Sequence, residues 1–419
     1  MNHASTSQLK TIITLFVVLR VTILLMYTPQ GLLNAYVDYQ HYYRVAQLAE
    51  QGRYLFVNAW SEHLPLMAYT SQLAYVVTRA VLPPGGLDSF TYQVFARLLG
   101  GLMLVFETGS LILLHRLARR AWDMDRANWL GWVYGTLSVP LFFWNASQTS
   151  NVLFFTLLAA EWFLIGRRSR SAVALALGIM TKFIPVFLLG AVARWLWPRR
   201  GSIARYSFIV LIVIALIFAP FVVVGGGPWI AASLASNLGR ASYATLWAVI
   251  DGNGGVGEVG DVPARTRLEQ AATIYGNPPV IPGILILIAF GALYLWLFRR
   301  PIDPHSPRHF LWFCTLMLML FFLWSKGWSP QWATLAIPFM LLAFPDRRGL
   351  WLVLMLTGLV CLEWPLADAL RSPALLLIAI TGRTILFITT GVLSARSIWV
   401  APGAEPRPAA FAFDDDYIP

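Results

Sequence analysis

Ser171-Ala-Val-Ala-Leu-Ala-Leu-Gly-Ile-Met-Thr-Lys-Phe-Ile-Pro-Val-Phe-Leu-Leu-Gly-Ala-Val-Ala-Arg-Trp-Leu-Trp197 is the stretch that governs how often this chain crosses a membrane. It is apolar and long enough for one crossing, yet Arg167, Arg168 and Arg170 precede it and Arg199, Arg200 and Arg205 follow it. Basic residues collect on the cytoplasmic side, so a single crossing would strand one cluster on the wrong face. Thr181-Lys-Phe-Ile-Pro185 offers the way out. Proline has no amide donor and disfavours helix in the residue before it, so the chain turns there. The pattern predicts a hairpin of two half-length helices, 171–182 and 185–197, with Lys182 at its external tip. Such a break is tolerated where protein or a water-filled cavity surrounds it.

The rest of the 419 residues fits that setting: 58% are hydrophobic, 12% are charged and the mean hydropathy is +0.64. Soluble domains do not have this composition. Further spans are expected at 11–27, 91–117, 127–144, 149–166, 203–224, 279–298, 309–325, 330–345, 349–366 and 374–395. With about 12 spans (range 10–13) and a cytoplasmic N-terminus, the arginine clusters between spans all fall on one side. The expectation is an all-α, multi-pass integral membrane protein of the plasma (inner) membrane, with both termini cytoplasmic. One transmembrane domain covers 1–400, and a disordered tail containing Asp414-Asp-Asp416 covers 401–419. No small-residue cleavage site follows Thr11–Tyr27, which reads as an uncleaved first span. The net charge of +11 sits at the ends of apolar runs, which points to topology and membrane lipids as its partners, not nucleic acid. Cys314 and Cys361 lie inside apolar runs, too few for a disulfide framework or a cysteine metal cluster.

Two large loops face outward on this map. The first, about 28–90, carries Gln40–Glu50 and Leu64–Ala80, which read as interfacial helices. The second, about 225–278, holds Gly225-Gly-Gly227 and Asp251-Gly-Asn-Gly-Gly-Val-Gly-Glu258, and is expected to move or to order only with a ligand. In the first loop Asp38 lies where water meets headgroups. A carboxylate there either takes a proton from an acceptor hydroxyl, holds a divalent cation, or is a solvated loop acid. Tyr39, His41 and Tyr42 supply donors and stacking faces suited to a sugar ring. Glu62 and His63 form a second polar knot, which reads equally as an interfacial helix cap.

Lys182 and Lys326 are the only lysines besides Lys10, and both fall at external helix tips. Cations kept on the disfavoured side suit an anion such as a lipid-linked phosphate, the alternative being interfacial snorkelling. Arg20, Arg97, Glu107 and Glu161 lie within apolar spans, where charge is costly and usually paired. Arg20 with Glu107 or Glu161 is the expected structural ion pair, while Arg97 lies nearest the external face and is a candidate for the phosphate site. No Walker loop, dinucleotide fingerprint or His-Glu-x-x-His occurs.

Three motifs together resemble the polytopic GT-C class glycosyltransferases, which use polyprenyl-phosphate sugars. Val37-Asp-Tyr-Gln-His-Tyr-Tyr-Arg-Val-Ala-Gln-Leu-Ala-Glu-Gln-Gly-Arg-Tyr54 is similar to the family's acid, aromatic, short-helix and Gly-before-Tyr pattern after helix one. Gly178-Ile-Met-Thr-Lys-Phe-Ile-Pro185 is similar to its Gly-x-x-x-Lys-x-x-Pro hairpin. Trp324-Ser-Lys-Gly-Trp-Ser-Pro-Gln-Trp332 is similar to the Lys-x-x-Ser-x-Gln turn of its mannosyltransferase-like members. The resemblance implies sugar transfer from a polyprenyl-phosphate donor to a glycan, lipid or protein acceptor on the non-cytoplasmic face. Asp38 would be the first-loop acid, Lys182 and Lys326 the phosphate contacts, and Gln331 a substrate contact. If a divalent cation (Mg²⁺ or Mn²⁺) takes part, Asp38 and Glu62 are its expected ligands. Two departures stand out: Asp38 lacks a neighbouring acid, and Glu62-His-Leu-Pro65 has one proline where many members have an aromatic and two prolines. The competing reading is a transporter or flippase for polyprenyl phosphate or a lipid-linked sugar. Polar residues gathered at the external ends, not along a midplane path, favour the enzyme.

Overall fold

The computed structural model describes residues 3–26, 38–145, 147–255, 257 and 259–400. Tyr27 of the first span, Val37 of the first loop, Glu258 and the tail 401–419 lie outside the described residues. The helices are α1 (His3–Met26), α2 (Asp38–Ala46), α3 (Pro65–Arg79), α4 (Phe90–Ala121), α5 (Met124–Thr136), α6 (Ser138–Phe143), α7 (Thr149–Leu164), α8 (Arg168–Thr181) and α9 (Phe187–Leu196). They continue with α10 (Arg200–Val223), α11 (Gly227–Leu238), α12 (Leu246–Asp251), α13 (Gly283–Phe298), α14 (Pro307–Trp324), α15 (Ala333–Ala343), α16 (Arg347–Cys361) and α17 (Pro373–Val400). No strand occurs among the described residues, only two isolated bridges, Leu55 with Ala59 and Tyr243 with Gly327.

Local chemistry sets several of these ends. Ser89, Asp123, Ser306 and Asp346 cap α4, α5, α14 and α16 by accepting from orphan amides one turn in. The expected span 127–144 is broken in two. Pro140 cannot donate and its ring crowds the carbonyl at 136, so α5 stops at Thr136 and Leu137 adopts an extended conformation. The hairpin at 171–197 forms as anticipated, with α8 ending at Thr181, Lys182 extended and a 3₁₀ turn over Ile184–Val186 leading into α9.

The count of about 12 spans is not confirmed. Among the described residues, six helices are long and apolar enough to cross a membrane: Gln8–Met26, Phe90–Ala121, Arg200–Val223, Pro307–Trp324, Arg347–Ala367 and Pro373–Trp399. The other expected spans are helical but short. The ten residues of α9 reach only about 15 Å, half of a hydrocarbon core of about 30 Å. Every residue of α15 is buried, so it is a central core helix with no lipid-facing side.

The bundle centres on α7 against α8 and α4, and on α14 against α17, α15 and α9. By contrast α10 buries only Tyr206 and Val210, and exposes Phe208, Leu211 and Leu216. Its apolar outer face suits lipid. Inside the bundle Arg20 pairs with Glu107 at 3.3 Å, and Tyr134 donates to the same carboxylate at 2.9 Å. Glu161, the other expected partner, pairs with Arg120 at 3.2 Å.

At one end of the bundle the connecting segments build a polar layer. The stretches Gln40–Glu50 and Leu64–Ala80 are helical as anticipated, in α2, a following 3₁₀ turn and α3. The 225–278 loop, expected to move or to order only with a ligand, carries α11, α12 and two 3₁₀ turns, Pro263–Thr266 and Leu268–Ala272. Polar side chains tie it together beside a small apolar cluster of Trp60, Ala232 and Ala271. Asp251 accepts from Ser242 Oγ at 2.6 Å and from the Val280 amide at 2.8 Å, and the Asn277 side chain donates to its carbonyl at 3.1 Å.

Candidate active site

Asp38 is the first residue of α2, and Tyr42 lies one turn on, on the same helical face. The Tyr42 hydroxyl donates to Asp38 Oδ2 at 3.2 Å. Gln331 Nε2 donates to the same oxygen, also at 3.2 Å, across 293 residues of sequence. Ser329 Oγ donates to Gln331 Oε1 at 2.7 Å, which turns the amide nitrogen toward Asp38. Oδ2 therefore has two donors, while Oδ1 has no hydrogen bond among the described residues. Lys182 supplies the opposing charge, and its Nζ lies 4.8 Å from the centroid of the Trp332 ring. Burial raises the Asp38 pKa above the ordinary carboxylate value. The charges of Lys182 and His41 and the bonds from Tyr42 and Gln331 act against that rise.

A second centre adjoins it. Glu62 is gripped by Arg265, with Nη2 at 2.6 Å from Oε1 and Nε at 3.1 Å from Oε2. His41 Nε2 lies 2.6 Å from Glu62 Oε1, and His63 Nε2 lies 3.9 Å from the same atom. The two centres meet through rings: the Tyr42 centroid lies 5.4 Å from that of His63 and 6.3 Å from that of His41. Burial would raise the Glu62 pKa, but the Arg265 guanidinium, with His41, outweighs it and holds the carboxyl well below its usual value. Burial pushes His63 down to about 3, against the pull of Glu62, so its imidazole is neutral at physiological pH.

The backbone of 60–63 is stitched to the second loop. Trp60 N donates to the Arg265 carbonyl at 2.9 Å, Ser61 N to Ser233 Oγ at 2.9 Å, and Asn237 Nδ2 to the Glu62 carbonyl at 2.8 Å.

Of the residues expected from sequence, Asp38, His41, Tyr42, Glu62, His63, Lys182 and Gln331 converge here. Tyr39 is fully buried beside them, its ring centroid 6.1 Å from that of Tyr42 and its hydroxyl without a hydrogen-bond partner among the described residues. Arg97 donates to the Gln93 carbonyl of its own helix at 3.1 Å. Lys326 contributes its carbonyl, which accepts from Tyr243 N and from Thr245 Oγ1, each at 3.0 Å, while its side chain lies beside Gly283. That turn reaches Asp38 through Gln331.

Asp38, the other ligand expected if a divalent cation takes part, is not in the ligand group that holds Glu62. Glu62 groups instead with His41 and His63, their ligand atoms all within 4.8 Å of one another, and both Glu62 oxygens are engaged by Arg265. Arg265 itself escaped the sequence reading, as did Arg240, whose charge acts on Lys182 and whose guanidinium lies 4.6 Å from the Tyr243 ring centroid. The signal was present: both are cations in the loop that the arginine pattern predicts to face outward, the same argument that singled out the lysines.

No family model matches the chain, and no curated protein matches it. Among solved structures it is similar to the oligosaccharyltransferase of Archaeoglobus fulgidus. The apo form aligns with 12% identity and a TM-score of 0.41, over 91% of this chain and 56% of that one. The form tethered by a disulfide to an acceptor peptide containing the NVT sequon gives 12% identity and 0.39, over 91% and 55%. The complex with Zn and sulfate gives 12% and 0.36, over 92% and 53%. The chain spans about half the length of those structures. At this identity and TM-score the likeness assigns no residue a role.

Proposed function

We propose that this protein is an integral-membrane glycosyltransferase that moves a sugar from a polyprenyl-phosphate donor to an acceptor on the non-cytoplasmic face, with inversion. One observation carries the reading: Asp38 is fixed through Oδ2 by Tyr42 and Gln331 and feels the charge of Lys182, whose Nζ lies over the Trp332 ring next to Gln331. Three segments far apart in sequence thus assemble an acid and a cation at one spot. In the reaction an acceptor hydroxyl attacks the anomeric carbon and its proton passes to Asp38 Oδ1. The bond from that carbon to the lipid phosphate breaks, and the phosphate leaves with the electron pair. Lys182 opposes the charge that develops on the leaving oxygen, and such stabilisation is usually the largest catalytic contribution. A base works best when its pKa approaches the working pH, and burial moves Asp38 in that direction. The reading is tested with purified protein, a panel of lipid-phosphate sugars and a hydroxyl acceptor. Transfer by wild type that is lost in Asp38→Asn supports it. Movement of the lipid across a vesicle with no transfer product would instead favour a flippase.

A further inference from the structure

Arg265 lies 203 residues from Glu62 and is 1% exposed. Its guanidinium is anchored on every side. Nε and Nη2 donate to the two Glu62 oxygens, and Nη1 donates to the Asp261 carbonyl at 2.8 Å and to the Gly260 carbonyl at 3.5 Å. One face lies against Trp60, 5.2 Å from the ring centroid, and the Trp60 indole donates to the carbonyls of Ala264 and Arg267, both at 3.1 Å. With its donors so committed, Arg265 is a positioning residue and has little left to offer an anionic substrate.

Its placement relative to the histidines is more informative. His41, Glu62 and His63 have the residue types and spacing of a three-ligand site for a borderline cation such as Zn²⁺. Yet Arg265 Nη2 lies 2.6 Å from Glu62 Oε1 and 3.3 Å from His41 Nε2, the two atoms a metal would bridge. The 2.6 Å contact between His41 Nε2 and Glu62 Oε1 places a proton on that nitrogen, because an ionised carboxylate can only accept. Its lone pair is then not available to a metal. A dication would have to displace both that proton and a permanently charged guanidinium already neutralising the carboxylate.

We infer that Arg265 stands in place of a divalent cation within the His41–Glu62–His63 cluster, so that the cluster takes no metal, and that removing Arg265 turns it into a zinc site. The corollary, that transfer at Asp38 proceeds without a divalent cation at this cluster, rests on the glycosyl-transfer reading. The metal-binding statement does not.

The full chain, purified in detergent, is incubated with Zn²⁺ alone, desalted, and its metal counted by mass spectrometry. Wild type is expected to retain no zinc above the buffer. Arg265→Ala is expected to retain about one Zn²⁺ per chain, because three nitrogen and oxygen ligands plus a water complete a tetrahedral site. Adding His63→Ala to that variant should abolish the binding. Arg265→Gln, which keeps a donor toward the Asp261 carbonyl, replaces Arg265→Ala if the latter does not elute as a single species. The inference is overturned if wild type holds one zinc that His63→Ala removes, or if a folded Arg265 variant holds none. Failure of wild type to transfer any sugar would sink the functional proposal and leave the zinc counts standing. Transfer lost on chelation and restored by a divalent metal would refute the corollary.

Discussion

Asp38→Asn is the most incisive perturbation of the proposed site. Asparagine keeps the size of the side chain, and its amide oxygen can still accept from Tyr42 and from Gln331, which now bond Asp38 Oδ2 at 3.2 Å each. The start of α2 should therefore stay in place. What disappears is the proton acceptor and the negative charge that Lys182 feels. Positioned general bases contribute about 10²–10⁴-fold, or roughly 3–5 kcal/mol of barrier. The expected result is a fall in kcat of that size. Donor affinity should hold or tighten, because Lys182 no longer has a carboxylate competing with the lipid phosphate. The assay is single-turnover transfer from a lipid-phosphate sugar, paired with donor binding measured by thermal shift in detergent. A second signature is pH. Because burial raises the Asp38 pKa, the acid limb of kcat/KM in wild type should fall at a pH above the ordinary carboxylate value of 3.8, and it should vanish in Asp38→Asn. A variant that transfers within about 5-fold of wild type would fall below the smallest general-base contribution and refute the assignment. A variant whose loss lies wholly in donor binding would recast Asp38 as a binding group.

Three further outcomes follow from the same geometry. Lys182→Ala removes a charged contact of about 1.5–3 kcal/mol, so donor affinity should drop roughly 10–100-fold while membrane insertion is unchanged; equal affinity would reduce Lys182 to an interfacial residue. Glu62→Ala leaves Arg265 buried without its carboxylate and should cost about 3–5 kcal/mol, seen as a lower melting temperature and early proteolysis of the 225–278 loop. Stability should also fall on acidification. The folded pKa of His63 is depressed from 6.5 to about 3, so below 6.5 the unfolded chain takes up a proton that the folded one refuses, and stability drops until the pH reaches about 3. Glu62, held low, adds a loss of the same sign as the pH descends through its folded value. The slope of melting temperature against pH should flatten in His63→Phe, and an unchanged slope would contradict the burial argument.

Much of the fold was legible because its causes are local. The long apolar runs, the hairpin at Pro185 and the helices at Asp38–Ala46 and Pro65–Arg79 follow from hydropathy and proline stereochemistry, which need only near neighbours in sequence. The count of crossings was harder, since length in sequence does not say whether a helix faces lipid or protein. α15 reads as a span by composition and is buried on every side, and Pro140 splits a stretch that hydropathy alone joins.

At the site, residue types by themselves singled out Asp38, Lys182, Glu62 and His63, because charged groups are scarce in this chain and stand out at helix ends, while Gln331 was marked only by the motif of the family resemblance. Pairing was settled only by tertiary structure. Lys326 and Gln331 lie five positions apart in one turn, yet Gln331 points at Asp38 while Lys326 lies against Gly283, and no periodicity distinguishes them in an irregular segment. Glu62 read as a substrate contact, a helix cap or, if a cation takes part, a metal ligand, and the second loop brings Arg265 to it. A carboxylate, a guanidinium and a metal ion compete for the same charge, and only the folding of two distant loops against each other decides which is there.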